Sequence, residues 1–380
     1  MKNNDSKRVL FLVENNPYPQ DTRVRSEAEA LVRAGYQVSV ISPAAKGQRW
    51  RESCAGVRVY RFGGALEARG FWGYIWEYSY ATAAIFLLSL VIWIRWGIDV
   101  IHAANPPETL VDIGAFYKLL GKKFIFDHHD LSPEMYCANF GGPRNPLAYQ
   151  ALLHLEKLSC QLADHVIATN QSYKALDMQR NGVPEERITI VRNGPDLDKF
   201  RPVAPDPALR PQGKVVIGYV GSMGIHDGID HLLRALRHLL CDLARTDWIC
   251  YLVGGKGAFL DQLIALKSEL GLDGFVHFTG YISEQDKLRY LSSTDICVDP
   301  DPWNPFNDRS TMIKVAEYMA LSKPIVAFAL TENMATAGQA GLFVCPNDDM
   351  ELARGLMQLM DDPPRRLAMG GFGRIRVETE

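Results

Sequence analysis

Short runs of aliphatic and β-branched residues alternate along the chain with segments whose apolar residues recur every three or four positions. The first run, residues 9–13, is continuously apolar, as expected for a strand covered on both faces. The segment after it has helical apolar spacing, with Asp21 or Thr22 available as the N-cap and Gly35 at its end. This alternation predicts a parallel α/β architecture.

The same pattern places the remaining elements. In the first half, further strands are predicted at 36–41, 57–61, 98–102, 123–127, 165–169 and 188–191, with helices between several of them. In the second half, strands are predicted at 215–220, 248–253, 275–278, 296–299 and 325–328, and helices at 229–240, 258–270, 285–291, 311–321 and 350–360.

A proline-rich stretch separates the two halves. Residues 201–213 contain four prolines and cannot continue a helix or a strand. We therefore expect a linker there, between an N-terminal Rossmann-like domain at 1–200 and a C-terminal one at 214–380. Two such domains predict a two-lobed molecule whose ligands bind at the carboxyl ends of the strands, across a cleft.

Composition narrows the class of protein. At 380 residues, with 47% hydrophobic and 22% charged residues, the chain suits two soluble globular domains. The net charge of −3 gives no reason to expect a nucleic acid partner. The seven cysteines are scattered and form no C-x-x-C pair, which argues against a disulfide framework or thiolate zinc site and for a reducing, cytoplasmic compartment. The polar start, residues 1–8, predicts no signal peptide.

One apolar stretch, residues 80–96, raises the question of a membrane. Fifteen uncharged residues precede Arg95, fewer than the roughly 20 that a spanning helix needs. We expect a buried helix of an α/β domain; the alternative is a helix lying in the membrane surface, and a true span is disfavoured. Aromatic residues flank the stretch as they do at a membrane interface: Trp72, Tyr74, Trp76, Tyr78, Trp93 and Trp96.

A glycine-rich turn at 218–228 follows an apolar strand and leads into a helix. Gly221 and Gly224 let the backbone approach an anion, Ser222 lies between them, and the helix N-terminus supplies free N–H groups for a diphosphate. The alternative is a tight turn without a ligand.

A second segment, residues 307–324, predicts a helix capped by Ser310 or Asp308. Ser310, Lys314 and Glu317 then form one polar stripe on an otherwise apolar helix. Because the helix dipole disfavours a cation near its N-terminus, Lys314 is best explained by an anion beside it. The alternative is a Lys314–Glu317 pair on the surface, worth a few tenths of a kcal/mol.

This segment resembles the donor-binding helix of glycosyltransferase family 4, whose members are retaining enzymes of the GT-B fold. Further resemblances occur in the same order along the chain: residues 21–25 with Glu27 and Ala28, the His128-His129-Asp130 loop with Pro133 and Glu134, and residues 192–196 with Phe200 and Pro202. They resemble most closely a branch that assembles exopolysaccharide, capsule or O-antigen. The resemblance covers residues 8–375.

The resemblance implies roles for particular residues. Glu317 would accept hydrogen bonds from the ribose hydroxyls, and the backbone at Tyr281 and Ile282 would hold the base. His129 would lie in the cleft opposite the sugar, its alternative being a structural histidine. Lys256, in a glycine turn without Walker spacing, would contact the diphosphate.

The chain also departs from the family's pattern. Ser222 and Asp227 stand where many members carry Arg and Lys, and Arg309 stands where the family has the first Glu of its Glu-x7-Glu pair. Contacts to the sugar and phosphates would therefore pass to Lys314 and the groups before it, namely Asp308, Arg309, Ser310 and Thr311.

No cofactor is expected. Asp299-Pro-Asp301 matches the D-x-D that grips a divalent metal in another glycosyltransferase fold class, but the resembled family uses no metal. We therefore expect a metal-independent site.

The expected function is retaining transfer of a sugar from a nucleotide diphosphate donor to an acceptor hydroxyl, with a lipid-linked saccharide at the inner membrane face as one expected acceptor. The alternatives are a nucleotide-sugar 2-epimerase of the same fold and a degenerate, non-catalytic sugar-nucleotide-binding protein. At the end of the chain, a helix after Pro364 is expected to pause at Gly370-Gly371 and stop without a cap, where the resembled family continues into helices that cross back. That pattern is expected of a shortened chain that binds donor and turns it over slowly.

Overall fold

The computed structural model describes residues 6–63, 70–255 and 257–379. The chain divides into two compact units, Met1–Arg192 and Asn193–Glu380. Each unit is built on a largely parallel sheet with helices between the strands, so the predicted pair of Rossmann-like α/β domains is confirmed.

The first unit has an eight-stranded sheet among its described residues, in the order β3-β4-β2-β1-β5-β6-β7-β8. All neighbours pair in parallel except β3 and β4, which form an antiparallel hairpin at the edge. The strands are β1 Arg8–Leu12, β2 Gln37–Pro43, β3 Arg51–Cys54, β4 Val57–Phe62, β5 Val100–Ala104, β6 Lys123–His128, β7 His165–Ala168 and β8 Ile188–Ile190.

The second unit has a six-stranded, fully parallel sheet in the order β11-β10-β9-β12-β13-β14. The strands are β9 Val215–Gly221, β10 Trp248–Gly254, β11 Val276–Gly280, β12 Ile296–Asp299, β13 Ile325–Phe328 and β14 Gly341–Val344. Because β9 and β12 are neighbours, their carboxyl ends bring the loops after Gly221 and Asp299 together.

Helices connect these strands. They are α1 Thr22–Arg33, α2 Gly70–Trp96, α3 Val111–Leu119, α4 Ser132–Phe140, α5 Pro146–Leu162, α6 Gln171–Gln179, α7 Ile229–Cys241, α8 Ala258–Glu269, α9 Glu284–Ser293, α10 Ile313–Ala320, α11 Thr331–Ala337, α12 Asp349–Asp361 and α13 Pro363–Thr379. The predicted cap of α1 is confirmed, because the Asp21 carboxylate accepts a hydrogen bond from the Val24 N–H.

The second sheet is packed on both faces. One apolar cluster joins its strands to α7 and α12 around Trp248, Leu236 and Leu356. The other joins them to α10 and α13 around Tyr318, Met319 and Val253. Burial of each leucine, valine or methionine in these clusters contributes roughly 1.5–3 kcal/mol. The two clusters fix the sheet whose strand ends carry the candidate site.

Helix α2 differs from its prediction. One face, with Ala81, Ile85 and Ile92, is buried against the unit, but only 22% of its most apolar window is buried. Among the described residues, Trp76–Trp96 is the one helical stretch long and apolar enough, by length and composition, to cross a membrane. The expectation of a buried core helix is therefore wrong, because apolar residues continue around the outer face, which no element among the described residues covers.

Helix α10 begins later than predicted. It starts at Ile313 after Met312, and neither Ser310 nor Asp308 caps it. The Ser310 hydroxyl donates to the Phe306 carbonyl, and a short 3-10 turn occupies Asn307–Arg309. The predicted stripe of Ser310, Lys314 and Glu317 is thereby reduced to the last two residues.

Helix α13 runs unbroken from Pro363 to Thr379, so the predicted pause at Gly370-Gly371 is wrong. A Cβ at Gly370 would lie 2.1 Å from the Ser322 carbonyl oxygen, whereas nothing lies within 4 Å of one at Gly371. Gly370 is thus a close-approach residue that lets α13 pack beside α10.

The proline-rich segment 201–213 makes its hydrogen bonds with the second unit. The Asp206 N–H donates to the Ser293 hydroxyl, and Arg210 pairs with Asp295 at 2.8 Å. The division between the units falls earlier, after Arg192.

Candidate functional site

The glycine turn lies at the carboxyl end of β9, as the sequence predicts. Gly221 ends the strand, and its carbonyl accepts the Gly255 N–H at 3.1 Å. Met223 has a φ of 59°, a conformation that costs a non-glycine residue energy and is typical of functional turns. Gly228 lets the end of the turn approach Pro300 closely, because a Cβ there would lie 2.0 Å from the Pro300 carbonyl oxygen.

Asp227 folds back into this turn. Its carboxylate accepts hydrogen bonds from the Gly224 N–H at 2.7 Å, the Ser222 hydroxyl at 2.9 Å and the Tyr219 hydroxyl at 2.9 Å. Burial would raise the pKa of Asp227, but Lys314 and the Gly224 N–H outweigh it and lower that pKa. The carboxylate is therefore ionised at neutral pH.

Lys314 lies beside the turn, as its predicted role requires. Its ammonium is 2.5 Å from Asp301, 3.1 Å from Asp299 and 3.3 Å from Asp227. The anion expected next to this cation is present as carboxylates of the protein itself, and the alternative of a surface pair with Glu317 is wrong. Burial would lower the pKa of Lys314, but these carboxylates hold it well above its usual value.

Two aspartates at the carboxyl end of β12, Asp299 and Asp301, both pair with Lys314. Burial and the adjacent Asp299 raise the pKa of Asp301 well above its usual range. Where a D-x-D metal site would have a divalent ion, the Lys314 ammonium contacts both carboxylates.

Glu317 lies one turn further along α10 and is 12% exposed. It pairs with Lys287 of α9 at 2.9 Å. Burial raises the pKa of Glu317 in spite of that lysine. The carboxylate is thus preoriented and partly desolvated, a suitable state for accepting hydrogen bonds from a diol.

The remaining residues predicted to bind the donor are spread around the same strand ends. Asp308 accepts hydrogen bonds from the N–H and hydroxyl of Thr331, and Arg309 donates to the Pro305 carbonyl. Tyr281 is 87% exposed after β11, and Ile282 packs against the apolar cluster of α10. Thr311 precedes α10. Lys256 lies outside the described residues.

In the first unit, His129 follows β6 and is 10% exposed at its side chain. Its Nδ1 lies 3.4 Å from Asp127, and its Nε2 lies 4.0 Å from Asp130. Burial would lower the pKa of His129, but the bond to Asp127 raises it. Its backbone N–H donates to Asn105, so the ring is held at the strand end.

Arg23 of α1 completes this cluster. Its guanidinium makes two hydrogen bonds with Asp127 and lies 3.3 Å from Glu27. Glu27, His102 and Asp127 come close enough together to hold a metal ion, but the guanidinium already supplies a cation there. Glu27 appeared in the sequence pattern only as part of a resemblance, and nothing local pointed to His102.

The first unit has a second buried group of polar side chains, formed by His128, Cys160 and Asp177. His128 is 2.8 Å from Asp177 and 3.6 Å from Glu156, and these carboxylates raise the pKa of the imidazole well above its usual value against the effect of burial. Glu134 pairs with Arg180 in the same network. The group ties α4, α5 and α6 together.

Sequence reasoning missed Tyr219 and used Asp227 only as a departure from a pattern. Asp299 and Asp301 were considered as metal ligands and prove to be partners of Lys314. One signal in the sequence could have revealed the Asp227–Lys314 pair. An acid stands at position 227 where many family members carry a lysine, and the same chain has a lysine near the N-terminus of α10.

Two Rossmann-like units, the second with a glycine turn and a cationic helix at its strand ends, define the GT-B class of glycosyltransferase fold. The sucrose-phosphate synthase of Thermosynechococcus elongatus superimposes with a TM-score of 0.79 at 21% identity, over 98% of this chain and 94% of that one. The Anabaena HepE structure in complex with UDP-glucose gives 0.71 at 19% identity, with 98% and 94% covered.

Family models match both units, "Glycosyltransferase Family 4" over residues 20–199 and "Glycosyl transferases group 1" over residues 214–362. The chain belongs to glycosyltransferase family 4.

The curated relatives match over a shorter part of the chain. A D-inositol 3-phosphate glycosyltransferase of Corynebacterium aurimucosum is 27% identical, over 55% of this chain and 52% of that protein. A GDP-mannose-dependent monoacylated alpha-(1-6)-phosphatidylinositol monomannoside mannosyltransferase of Corynebacterium glutamicum is 28% identical, over 50% and 51%. The chain thus spans about half the length of the curated relatives it matches.

Proposed function

We propose that this protein transfers a sugar from a nucleotide diphosphate donor to an acceptor hydroxyl, with retention of configuration. The observation that carries the proposal is the convergence of the glycine turn, Lys314 and Glu317 at adjacent strand ends of the second unit. The turn and the lysine suit a diphosphate, and the buried carboxylate suits a ribose diol. Relatives that bind UDP-glucose or depend on GDP-mannose support a nucleotide-sugar donor.

The proposed reaction breaks the bond between the anomeric carbon and the diphosphate oxygen and forms a bond to the acceptor oxygen on the same face. The departing phosphate oxygen takes the acceptor's proton, so atoms and charge balance without a protein nucleophile. The protein's part is to position the reactants and stabilise the leaving diphosphate. His129, held by Asp127, contributes a hydrogen bond to the sugar in this scheme.

We also propose that the reaction needs no metal or other cofactor. Lys314 lies between the two carboxylates that a divalent ion would use, and the glycine turn offers N–H and hydroxyl donors. Arg309, Ser310 and Thr311, which precede Lys314 along the chain, are proposed as further contacts to the donor, and the family resemblance adds Lys256.

The acceptor is proposed to be a lipid-linked saccharide reached at the inner face of a membrane, in the synthesis of exopolysaccharide, capsule or O-antigen. Helix α2 presents an outer stripe of apolar residues at helical spacing, with Ile94 84% exposed. Arg51, Arg58 and Arg95 cluster around Trp96 at one end of that helix. An apolar stripe beside a basic group suits an anionic lipid surface.

The helix is proposed to lie on the surface rather than to cross the membrane. Its inner face is bound to the first unit: Trp96 donates to the Tyr60 hydroxyl of β4, and Tyr117 of α3 donates to the Ser89 hydroxyl. If α2 crossed the membrane, it would lose this packing. The relative that acts on a phosphatidylinositol mannoside supports a lipid acceptor.

A panel of UDP- and GDP-sugars tests the proposal. The true donor should raise the melting temperature, because binding to the native state alone stabilises it in proportion to the logarithm of ligand concentration. Incubation with lipid-linked acceptors should then give a glycoside whose anomeric configuration, read by NMR, matches that of the donor. An inverted product would contradict retention.

Two control incubations separate the alternatives. Donor incubated alone should stay unchanged, whereas conversion to its 2-epimer would favour the epimerase. Donor binding without turnover on any acceptor would favour a degenerate binding protein.

A further inference from the structure

The Asp227 carboxylate is seated in its turn as a bound anion would be. One oxygen accepts from the Gly224 N–H and the Ser222 hydroxyl, and the other accepts from the Tyr219 hydroxyl with Lys314 at 3.3 Å. Four donors therefore converge on one carboxylate, three from the continuous stretch 219–224 and one from α10. The side chain is 17% exposed, so the seat opens to solvent.

A phosphate group requires the same kind of seat. Backbone N–H groups of a glycine turn, hydroxyls and a lysine ammonium are the donors with which proteins hold phosphate oxygens. The turn leads directly into α7, whose first residue, Ile229, follows a Gly228 that gives no side-chain cap. The N–H groups of the first turn add positive potential at the same place.

The seat admits one anion at a time. Asp227 is ionised, because Lys314 and the Gly224 N–H lower its pKa against the effect of burial. Asp299 and Asp301 also face Lys314, so a phosphate would have to share the lysine with three carboxyl groups while Asp227 remains in place. A phosphate oxygen at the Gly224 N–H would meet the Asp227 oxygens at contact distance.

We propose that Asp227 is a built-in competitor for the phosphates of the donor, and that it leaves the turn when they bind. Its departure frees the Gly224 N–H, the Ser222 hydroxyl and part of the Lys314 charge. The carboxylate thereby lowers the affinity for the donor and for the nucleoside diphosphate product alike. This inference rests on the proposed function, in which the second unit binds a nucleotide diphosphate.

Calorimetry with inorganic pyrophosphate tests the competition directly. Asp227→Asn keeps the size of the side chain and one acceptor for the Gly224 N–H, and Asp227→Ala empties the seat. Both variants should bind pyrophosphate about ten-fold more tightly than the wild type or better, because a fixed like charge has been removed. Asp348→Asn is the matched control, since Asp348 also accepts a backbone N–H, from Glu351, but caps α12 instead.

The same measurement with uridine, UMP and UDP, and with guanosine, GMP and GDP, separates this inference from the proposed function. The gain in affinity should be absent for the nucleosides and largest for the diphosphates. Unchanged or weaker pyrophosphate binding in a folded Asp227→Asn variant would overturn the inference, whether or not the wild type binds nucleotides. Failure of the wild type and both variants to bind any nucleotide, with pyrophosphate binding still improved, would overturn the proposed function and leave the competition standing.

Discussion

At the scale of single residues, the site is defined by opposite charges that meet beside the glycine turn. An acid, Asp227, stands in the turn where many family members carry a lysine, and a lysine stands on α10 next to it. Three carboxylates meet one ammonium there, at 10% exposure of the lysine side chain. Lys314 therefore stabilises the fold, in addition to its proposed contact with a ligand.

Replacing Lys314 by Met should lower the free energy of unfolding at neutral pH by about 3–5 kcal/mol, because buried charges lose their partner. The loss should shrink towards pH 4. The pKa of Asp301 is already raised by burial and by Asp299, and it rises further without Lys314. A carboxyl whose folded pKa exceeds its unfolded value contributes stability that is fully present below the unfolded pKa and is lost as pH rises through the folded pKa.

Urea unfolding at pH 4 and pH 7.5 measures this difference. Lys323→Met is the control, because Lys323 is also largely buried but donates to the carbonyls of Ser292 and Thr294 rather than to acids. Its loss should change little between the two pH values. An equal pH dependence in both variants would contradict the role assigned to the carboxylates.

Glu317 should act on the donor. Glu317→Gln should lower kcat/KM by about 10–100-fold, because a hydrogen bond to a charged group contributes roughly 1.5–3 kcal/mol. Glu284→Gln is the control, since Glu284 is the second carboxylate near Lys287, at 3.8 Å, and is 80% exposed. That variant should keep near-normal turnover. Normal turnover in a folded Glu317→Gln variant would remove Glu317 from the site.

At the scale of elements, α2 combines a packed face with an apolar outer face. Leu87 and Ile94 lie on the outer face, 63% and 84% exposed. Replacing both with Glu should reduce flotation with vesicles containing anionic lipid by ten-fold or more, because each inserted side chain contributes roughly 1.5–3 kcal/mol.

The control for α2 is Leu147→Glu. Leu147 is 81% exposed on α5 of the same unit, so it tests a new charge on an exposed leucine outside the stripe. Its binding to vesicles should match that of the wild type and should weaken as salt rises, because basic side chains share the contact. Full flotation of the Leu87→Glu, Ile94→Glu double variant would rule out the stripe as the membrane contact.

The two adjacent glycines of α13 should respond in opposite directions. Gly370→Ala should lower the melting temperature, because its Cβ would lie 2.1 Å from a backbone oxygen and force α13 away from α10. Gly371→Ala should raise it, because alanine favours a helix by up to about 1 kcal/mol and meets no atom within 4 Å. Differential scanning calorimetry compares the two. A gain in both would show that α13 does not pack closely on α10.

At the scale of the whole molecule, the proposed chemistry relies on fixed cations and N–H groups. Sugar transfer should therefore persist in excess EDTA at a rate within about two-fold of the untreated enzyme, since no step needs a Lewis acid. The assay is product formation before and after chelation. Loss of activity that manganese or magnesium restores would make Asp299 and Asp301 metal ligands and displace Lys314 from between them.

Local patterns in the sequence predicted most of the fold. Alternation of apolar runs with helical spacing predicted twelve of the strands within a few residues, because buried parallel strands are continuously apolar. The polar edge strand Arg51–Cys54 and the half-buried Gly341–Val344 have no such run and were missed. The cap of α10 was misplaced because Ser310 and Asp308 found partners outside that helix.

For the site, the sequence by itself determined the segments: the glycine turn, α10 with Lys314 and Glu317, and the loop with His129. Only the tertiary structure decided what those side chains touch. Lys314 and Asp227 are 87 residues apart and meet because β9 and β12 are neighbours in the sheet. The exposure of α2 was likewise decided by packing, because an apolar helix has the same periodicity whether another element covers it or not.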